Sequence, residues 1–356
     1  MLNLKSFSSL LFFWFLLAMP ISGMANNEYA APESLLDLMS YQEILEVNLA
    51  ADISLLTQNR YSKEEVKGNF SFKDQNGRLW SWKLKVGLRG NYRRVNCSGT
   101  PPLKLNFKKG ELEEAGLSKF DDMKLVTQCL ENEALAKDLL LKEFLAYKLY
   151  NQLTEKSLRV QLLKINFTDS ASGENNIQYG FVIEDTAEFR NRIGATKMGE
   201  IYNIQPELLD RHQFKVVALF QYMIGNIDYN LSSSRNLKMV RIKDKVVIVP
   251  YDFDFSEIVR APYRTGSEKL NVTKQGDRAY LGFPEDVKDL KETVQVFKNN
   301  RKHLFKIVSN FKMLHHEDRA FIKNYLNDFF KNINEIKLPP VEIYKFDQEM
   351  VKRSDD

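Results

Sequence analysis

The chain has 356 residues, with 51 Lys and Arg against 47 Asp and Glu and a net charge of +4 at pH 7. So small and evenly spread an excess excludes nucleic acid as the main partner. The four histidines (His212, His303, His315, His316) and two cysteines form no metal-ligand spacing and no Cys-x-x-Cys pair, and "MLHHEDRAF" reads as a polar helix start.

Residues 1–25 read as a secretory signal peptide: Lys5 precedes the apolar run "LLFFWFLLAMPI", and Gly23-Met24-Ala25 follows as the cleavage region. The run is short for a membrane span, and no other stretch approaches roughly 20 apolar residues. A retained anchor is the alternative, because Trp14 and Phe15 make the run very apolar. Cleavage removes Lys5, lowers the charge from +4 to +3 and leaves roughly 330 residues, enough for one large two-lobed domain or two modest ones. The expected destination is periplasm, cell envelope or exterior, with no membrane span in the mature chain. In an oxidising compartment Cys97 and Cys129 either form a disulfide, worth about 3–4 kcal/mol by loop entropy, or remain two buried thiols. Asn-x-Ser/Thr triplets, including Asn69, Asn166, Asn230 and Asn271, matter only where the export route glycosylates.

After a lead segment at 26–43, residues 44–185 read as a sheet-rich half with one strong helix. "ILEVNLAADISLL" predicts a strand. "GNFSFKD" and "LWSWKLKVGLRG" predict a hairpin about "QNG", with Trp80, Trp82, Leu84 and Val86 alternating. "PPLKLNFKK" alternates again through Leu103, Leu105 and Phe107. "EALAKDLLLKEFLAYKLYNQL" is helical, with Leu141, Leu145 and Leu149 in one stripe. Strands "VQLLKINFT" and "IQYGFVIED" follow. Residues 186–346 turn helical: "PELLDRHQFKVVALFQYMIG" runs from Pro206 to Gly225, and "PEDVKDLKETVQVFKNN", "HLFKIVSNFKML" and "DRAFIKNYLNDFFKNI" have helical periodicity. A charged tail occupies 347–356. A sheet-rich half before a helix-rich half predicts an α+β fold with its site in a cleft between two lobes.

Between the helices, "NLKMVRI", "KDK" and "VVIVPY" predict a β-hairpin centred on Asp244, placing Asn236 directly opposite Asp252 at its open end. A slip of one residue would undo that pairing. Asp228 lies on the loop feeding the same end. An amide facing an acid beside a second, loop-borne acid suits a hard divalent cation such as Mg²⁺, which completes its shell with water and phosphate. The same residue types also gather at hairpin ends simply to cap backbone groups.

The order of helix, "GNID" loop, asparagine, hairpin, "DFD" and helices resembles the catalytic core of the protein-kinase-like superfold. In detail the chain resembles the spore coat protein H family of secreted atypical kinases and the uncharacterised bacterial envelope proteins related to it. The matching stretches are "GLRGNYRRVNC", "PPLKLNFKK", "DDMKLVTQCL", "LLLKEFLAYKLYN", "YGFVIEDTAEF", "LFQYMIGNIDYN" and "VPYDFDFSEIVRAPY", spanning about 85–265. The resemblance implies a two-lobed kinase-like fold and Mg²⁺-dependent phosphoryl or nucleotidyl transfer from ATP to a protein or other hydroxyl acceptor. By position it makes Asp228 the catalytic aspartate, and Asn236 and Asp252 the metal ligands, with Asp254 a second metal oxygen or a hydrogen-bonding group. It places Lys104 on the nucleotide phosphates, Glu143 as the partner of Lys104, Glu184 near the adenine, and Arg89 in a phosphate-approaching turn with Gly90. The chain departs from ordinary kinases: Asn236 follows Asp228 by eight residues instead of five, and no His-Arg-Asp, three-glycine loop or glycine after "DF" is present. The competing reading is a non-catalytic envelope module that binds or braces a partner.

Overall fold

The computed structural model describes residues 32–199, 202, 204–336 and 338; the signal-peptide and charged-tail expectations fall outside them. Alternating apolar residues build most of the first half. Strands β1 (Ile44–Ala51), β2 (Glu65–Lys73), β3 (Leu79–Leu88), β4 (Leu103–Phe107), β5 (Asp122–Val126), β6 (Val160–Asp169) and β7 (Asn175–Ile183) close into a barrel in the order β1-β2-β3-β4-β5-β7-β6. Every neighbouring pair is antiparallel except β1 with β6, whose parallel register runs from Ile44–Leu162 to Ala51–Asp169. That parallel seam closes the barrel. It corrects the expected two-lobed kinase-like α+β architecture: a closed, mixed seven-stranded barrel with helices stands where an open sheet-rich lobe was expected.

The barrel interior takes Trp80, Trp82, Leu84 and Val86 from β3, Leu103, Leu105 and Phe107 from β4, and Leu163 and Ile165 from β6. Each such burial contributes about 1.5–3 kcal/mol. The opposite faces of β6 and β7, through Leu162, Phe181 and Ile183, meet a second core built on α5 (Glu133–Leu153). Helix α5 starts where the Asn132 side chain accepts from the Leu135 N–H, and it is buried over most of its circumference.

The short helix α1 (Leu35–Met39) precedes the barrel, and α2 (Ile53–Gln58), α3 (Tyr92–Asn96) and α4 (Lys109–Glu114) fill connections between its strands. The single strand expected over "ILEVNLAADISLL" ends at Ala51, because the Asp52 carboxylate caps α2 through the Leu55 N–H. After β7 come α6 (Thr186–Arg192), the two-residue β8 (Thr196–Lys197) and α7 (Arg211–Ile224). A hairpin of β9 (Leu237–Ile242) and β10 (Lys245–Pro250) follows, and β8 joins its β9 edge to give a three-stranded sheet. The last helices are α8 (Lys291–Asn310), which unites two stretches expected to be separate helices, and α9 (His316–Asn332). The described residues from Glu33 onward pack as one unit, and no described helix is long and apolar enough to cross a membrane.

Candidate functional site

Helix α7 ends at Gly225, whose φ of 67° is left-handed. A Cβ there would run into the Tyr325 hydroxyl and lie 2.6 Å from the Glu257 Cβ, so close packing as well as conformation demands glycine. The next residue, the fully buried Asn226, accepts from the Asp228 N–H at 2.9 Å and donates to Gln221 at 3.1 Å. That turn fixes Asp228. Its carboxylate is engaged by Arg235 and accepts from Asn236 Nδ2 at 2.9 Å, while the same Nδ2 donates to the Asp228 carbonyl at 2.6 Å. Burial raises the Asp228 pKa, Arg235 opposes the rise, and the charge of Asp252 adds to it.

The hairpin register differs by one residue from the expected one. Val246 faces Arg241 and Pro250 faces Leu237, so Asn236 stands opposite Tyr251, whose N–H donates to its carbonyl at 3.1 Å. The cause is a tight two-residue turn, Lys243-Asp244, with Lys243 at a φ of 54°. Asp252 therefore lies a step beyond Asn236 instead of facing it. Both residues nevertheless line one cleft, because both leave the strands with positive φ, 54° at Asn236 and 65° at Asp252. Asn and Asp tolerate that region best among non-glycine residues.

Phe253 anchors "DFD". Its fully buried ring packs at 4.7 Å from Tyr147 and 5.5 Å from Phe220, and Tyr147 accepts from the Asp252 N–H at 2.9 Å. The aspartates on either side have different surroundings. Asp252 opens to the cleft, whereas Asp254 is 4 % exposed and its carboxylate meets Tyr263 at 3.1 Å and Arg93 at 3.5 Å. Burial pushes the Asp254 pKa up to about 8 despite Arg93.

Arg93, on α3, is the cation of this cluster. Its guanidinium donates to Glu143 at 2.9 and 3.2 Å and to Asp252 at 2.6 Å. Burial opposes its charge, but the carboxylates of Asp254, Glu143 and Asp252 lift its pKa well above the ordinary value. Burial raises the Glu143 pKa against the pull of Arg93. Cys97, the residue after α3, is disulfide-bonded to Cys129 with Cα atoms 4.8 Å apart.

The expected pairing of Lys104 with Glu143 is not formed. Lys104 projects from the barrel wall and pairs with Asp122 at 3.5 Å, while Glu143 holds Arg93. Directly across the β4–β5 ladder from Lys104 stands Lys124, and it is Lys124 that lines the cleft. Burial, then Lys238, then Arg89 depress the Lys124 pKa to about 7, against Asp122 and Asp185. Its ammonium and that of Lys238 lie 5.7 and 4.9 Å from the Tyr251 ring. Glu184 does not line the cleft: it is 1 % exposed and pairs with Arg159 and Arg192, each at 2.8 Å.

The cleft of about 510 Å³ thus gathers Arg89, Gly90, Arg93, Lys124, Lys238 and Tyr251 with Asp228, Asn236, Asp252 and Asp254. Sequence reasoning passed over Lys124, and it named Arg93 only beside Arg89 and Arg94, as arginines that form salt bridges or bind phosphate, without its partners. Two signals were available: "DDMKLV" is the strand directly before the Glu143 helix, and Arg93 stands four residues before a cysteine. No group of three or more His, Cys, Asp or Glu among the described residues is arranged as a metal cage. Comparison with family models finds no match for the chain, and comparison with curated proteins finds none.

Proposed function

We propose that the cleft binds a phosphate-bearing donor of the nucleoside triphosphate class and passes its terminal phosphoryl group to a hydroxyl acceptor. The observation that carries this reading is one cleft in which Arg89, Lys124 and Lys238 share the lining with Asp228, Asn236 and Asp252. Burial first, and then the nearby Lys238 and Arg89, disfavour the charged form of Lys124, and an anion bound beside it would restore that charge. A carboxylate beside them gives the acceptor proton somewhere to go.

In this reading Arg89, Lys124 and Lys238 hold the donor phosphates, and Asp228 orients the acceptor hydroxyl once Arg235 swings aside. As the acceptor oxygen bonds to phosphorus, its proton passes to Asp228. The bridging P–O bond breaks, and its electron pair leaves on the donor's remaining phosphate. Asp252 Oδ2 and Asn236 Oδ1 carry no hydrogen bond among the described residues, since Arg93 takes Oδ1 of Asp252 and Asn236 faces Asp228 through its nitrogen. Two such oxygens fit Mg²⁺, which prefers few protein ligands beside phosphate and water. When bound, the ion supplies charge neutralisation to the transferring group. The disulfide suits work outside the reducing cytosol, which goes with export of the chain.

A non-catalytic envelope module is the second reading, favoured by Asp228 having both carboxylate oxygens engaged, by Arg235 and Asn236. Two measurements separate them. Mg²⁺ with ATP at about a hundredfold its Kd should stabilise the chain by about 2.7 kcal/mol. Label from γ-labelled ATP should reach product in the native protein and fail in Asp228→Ala and Asp252→Ala. A thermal shift without transfer selects the binding module; no shift at millimolar nucleotide removes the nucleotide reading altogether.

A further inference from the structure

Arg93 reaches carboxylates from two separate parts of the chain, Glu143 on α5 and Asp252 and Asp254 just after β10. Three acids around one guanidinium leave the cluster short of positive charge. Asp252 is the shared member: its Oδ1 accepts from Arg93 at 2.6 Å, while its other oxygen is left for the cleft. A carboxylate that bridges two cations is the usual arrangement of a two-metal site, with the ions roughly 4 Å apart. Here one of those cations is a side chain.

The guanidinium is also held firmly. Cys97 closes the helix that carries it and is bonded to Cys129. The Gly99 N–H then donates to the Cys129 carbonyl at 3.0 Å and the Thr100 N–H to the Gln128 carbonyl at 3.1 Å. Gly99 is required there, since a Cβ would meet the Gln128 carbonyl at 2.7 Å. A flexible arginine on a loose loop would exchange among partners; this one is delivered by a covalently tied segment. Its planar fork engages both Glu143 oxygens, which a lysine point charge cannot do.

We propose that Arg93 occupies the place of a second divalent cation, so that the site works with a single exchangeable metal ion held by Asp252 and Asn236. The inference rests on the phosphoryl-transfer reading for that first ion, and the test keeps the two apart. Mn²⁺ is titrated into the full chain with ADP present, and free Mn²⁺ is counted by its electron paramagnetic resonance signal. The wild type and Arg93→Lys each take up one ion per chain, and Arg93→Ala takes up two. If Arg93→Ala does not fold, the Arg93→Met/Glu143→Gln pair, which removes one acid together with the cation, replaces it and is also expected to take two. Two ions in the wild type overturn the proposal, as does a folded variant lacking Arg93 that still takes only one. No ion in the wild type but one in Arg93→Ala supports the replacement of a metal by Arg93 while removing the proposed function. No ion in any chain ends both.

Discussion

Two ion clusters of this molecule, one buried and one partly open to water, are built differently. Around Arg93, three carboxylates share one cation beside the cleft. At the junction of α1, β6 and α6, Glu184, Glu188 and Asp37 share Arg159 and Arg192, away from that cleft. The second cluster ties chain segments together with charges nearly matched. The first leaves an excess of acid at the point where a ligand can enter. Unbalanced charge is costly when buried and useful when something must be bound, so imbalance distinguishes a site from a brace.

The largest effect should come from removing the centre of each cluster. Arg93→Ala leaves uncompensated acids and should cost about 3–5 kcal/mol in urea unfolding. Arg159→Ala should cost less, about 1–2 kcal/mol, because Arg192 still pairs with Glu184 and water reaches Arg159. Equal losses would erase the contrast. Replacing Cys97 and Cys129 by serine opens a loop of sequence separation 32 and should cost about 3–4 kcal/mol. It should also weaken ATP binding, because α3 loses its anchor, whereas Arg159→Ala should not.

Titration offers a finer comparison. Asp254, at about 8, and Glu188, at about 7, both hold their protons more tightly folded than unfolded, chiefly through burial. Their stabilising contribution is complete below the ordinary carboxylate pKa and is lost as pH rises toward those folded values. Stability measured by urea unfolding should therefore fall between about pH 4 and 8. Asp254→Asn should lessen the fall across that whole window, including the part above pH 7, whereas Glu188→Gln should lessen only the part below pH 7. Lys124 has the opposite sign: its folded pKa lies below its unfolded one, so its contribution improves as pH climbs from about 7 toward 10.5. Accordingly Lys124→Met should raise stability at neutral pH by about 0.5–2 kcal/mol while weakening ATP binding, the trade expected of a ligand-binding charge. A Lys124→Met chain that is less stable at pH 7 would contradict the crowding of cations in the cleft.

The barrel strands were legible because residues such as Trp80, Trp82, Leu84 and Val86 alternate with polar neighbours. Closure was not, since it depends on β1 meeting β6 across more than a hundred residues, and neither strand carries a local mark of its parallel partner. The hairpin was readable but its register was not: nothing in "KDK" distinguishes a two-residue turn from a three-residue one, and that single step moves Asp252 past Asn236. The acidic and amide members of the cleft stood out as a run of unusual residues after an apolar strand. Its cations did not. Lys104 and Lys124 both occupy polar positions of alternating strands, and only the fold reveals that Lys104 has Asp122 while Lys124 borders the cavity. Arg93 was readable as an arginine that forms salt bridges or binds phosphate, but its partners were not, since they lie 50 and 159 residues away.

The parallel seam between β1 and β6 has a further result for how the molecule meets others. A sheet rolled on itself has neither a first nor a last strand, so its amide and carbonyl rows cannot template an incoming peptide or a misfolded copy. Among the described residues, open ladder ends belong to the small sheet, at the two-residue β8 and along β10, where Leu209 already bridges Val246. The barrel wall is thereby protected from strand-by-strand aggregation, and contacts made there must rely on side chains.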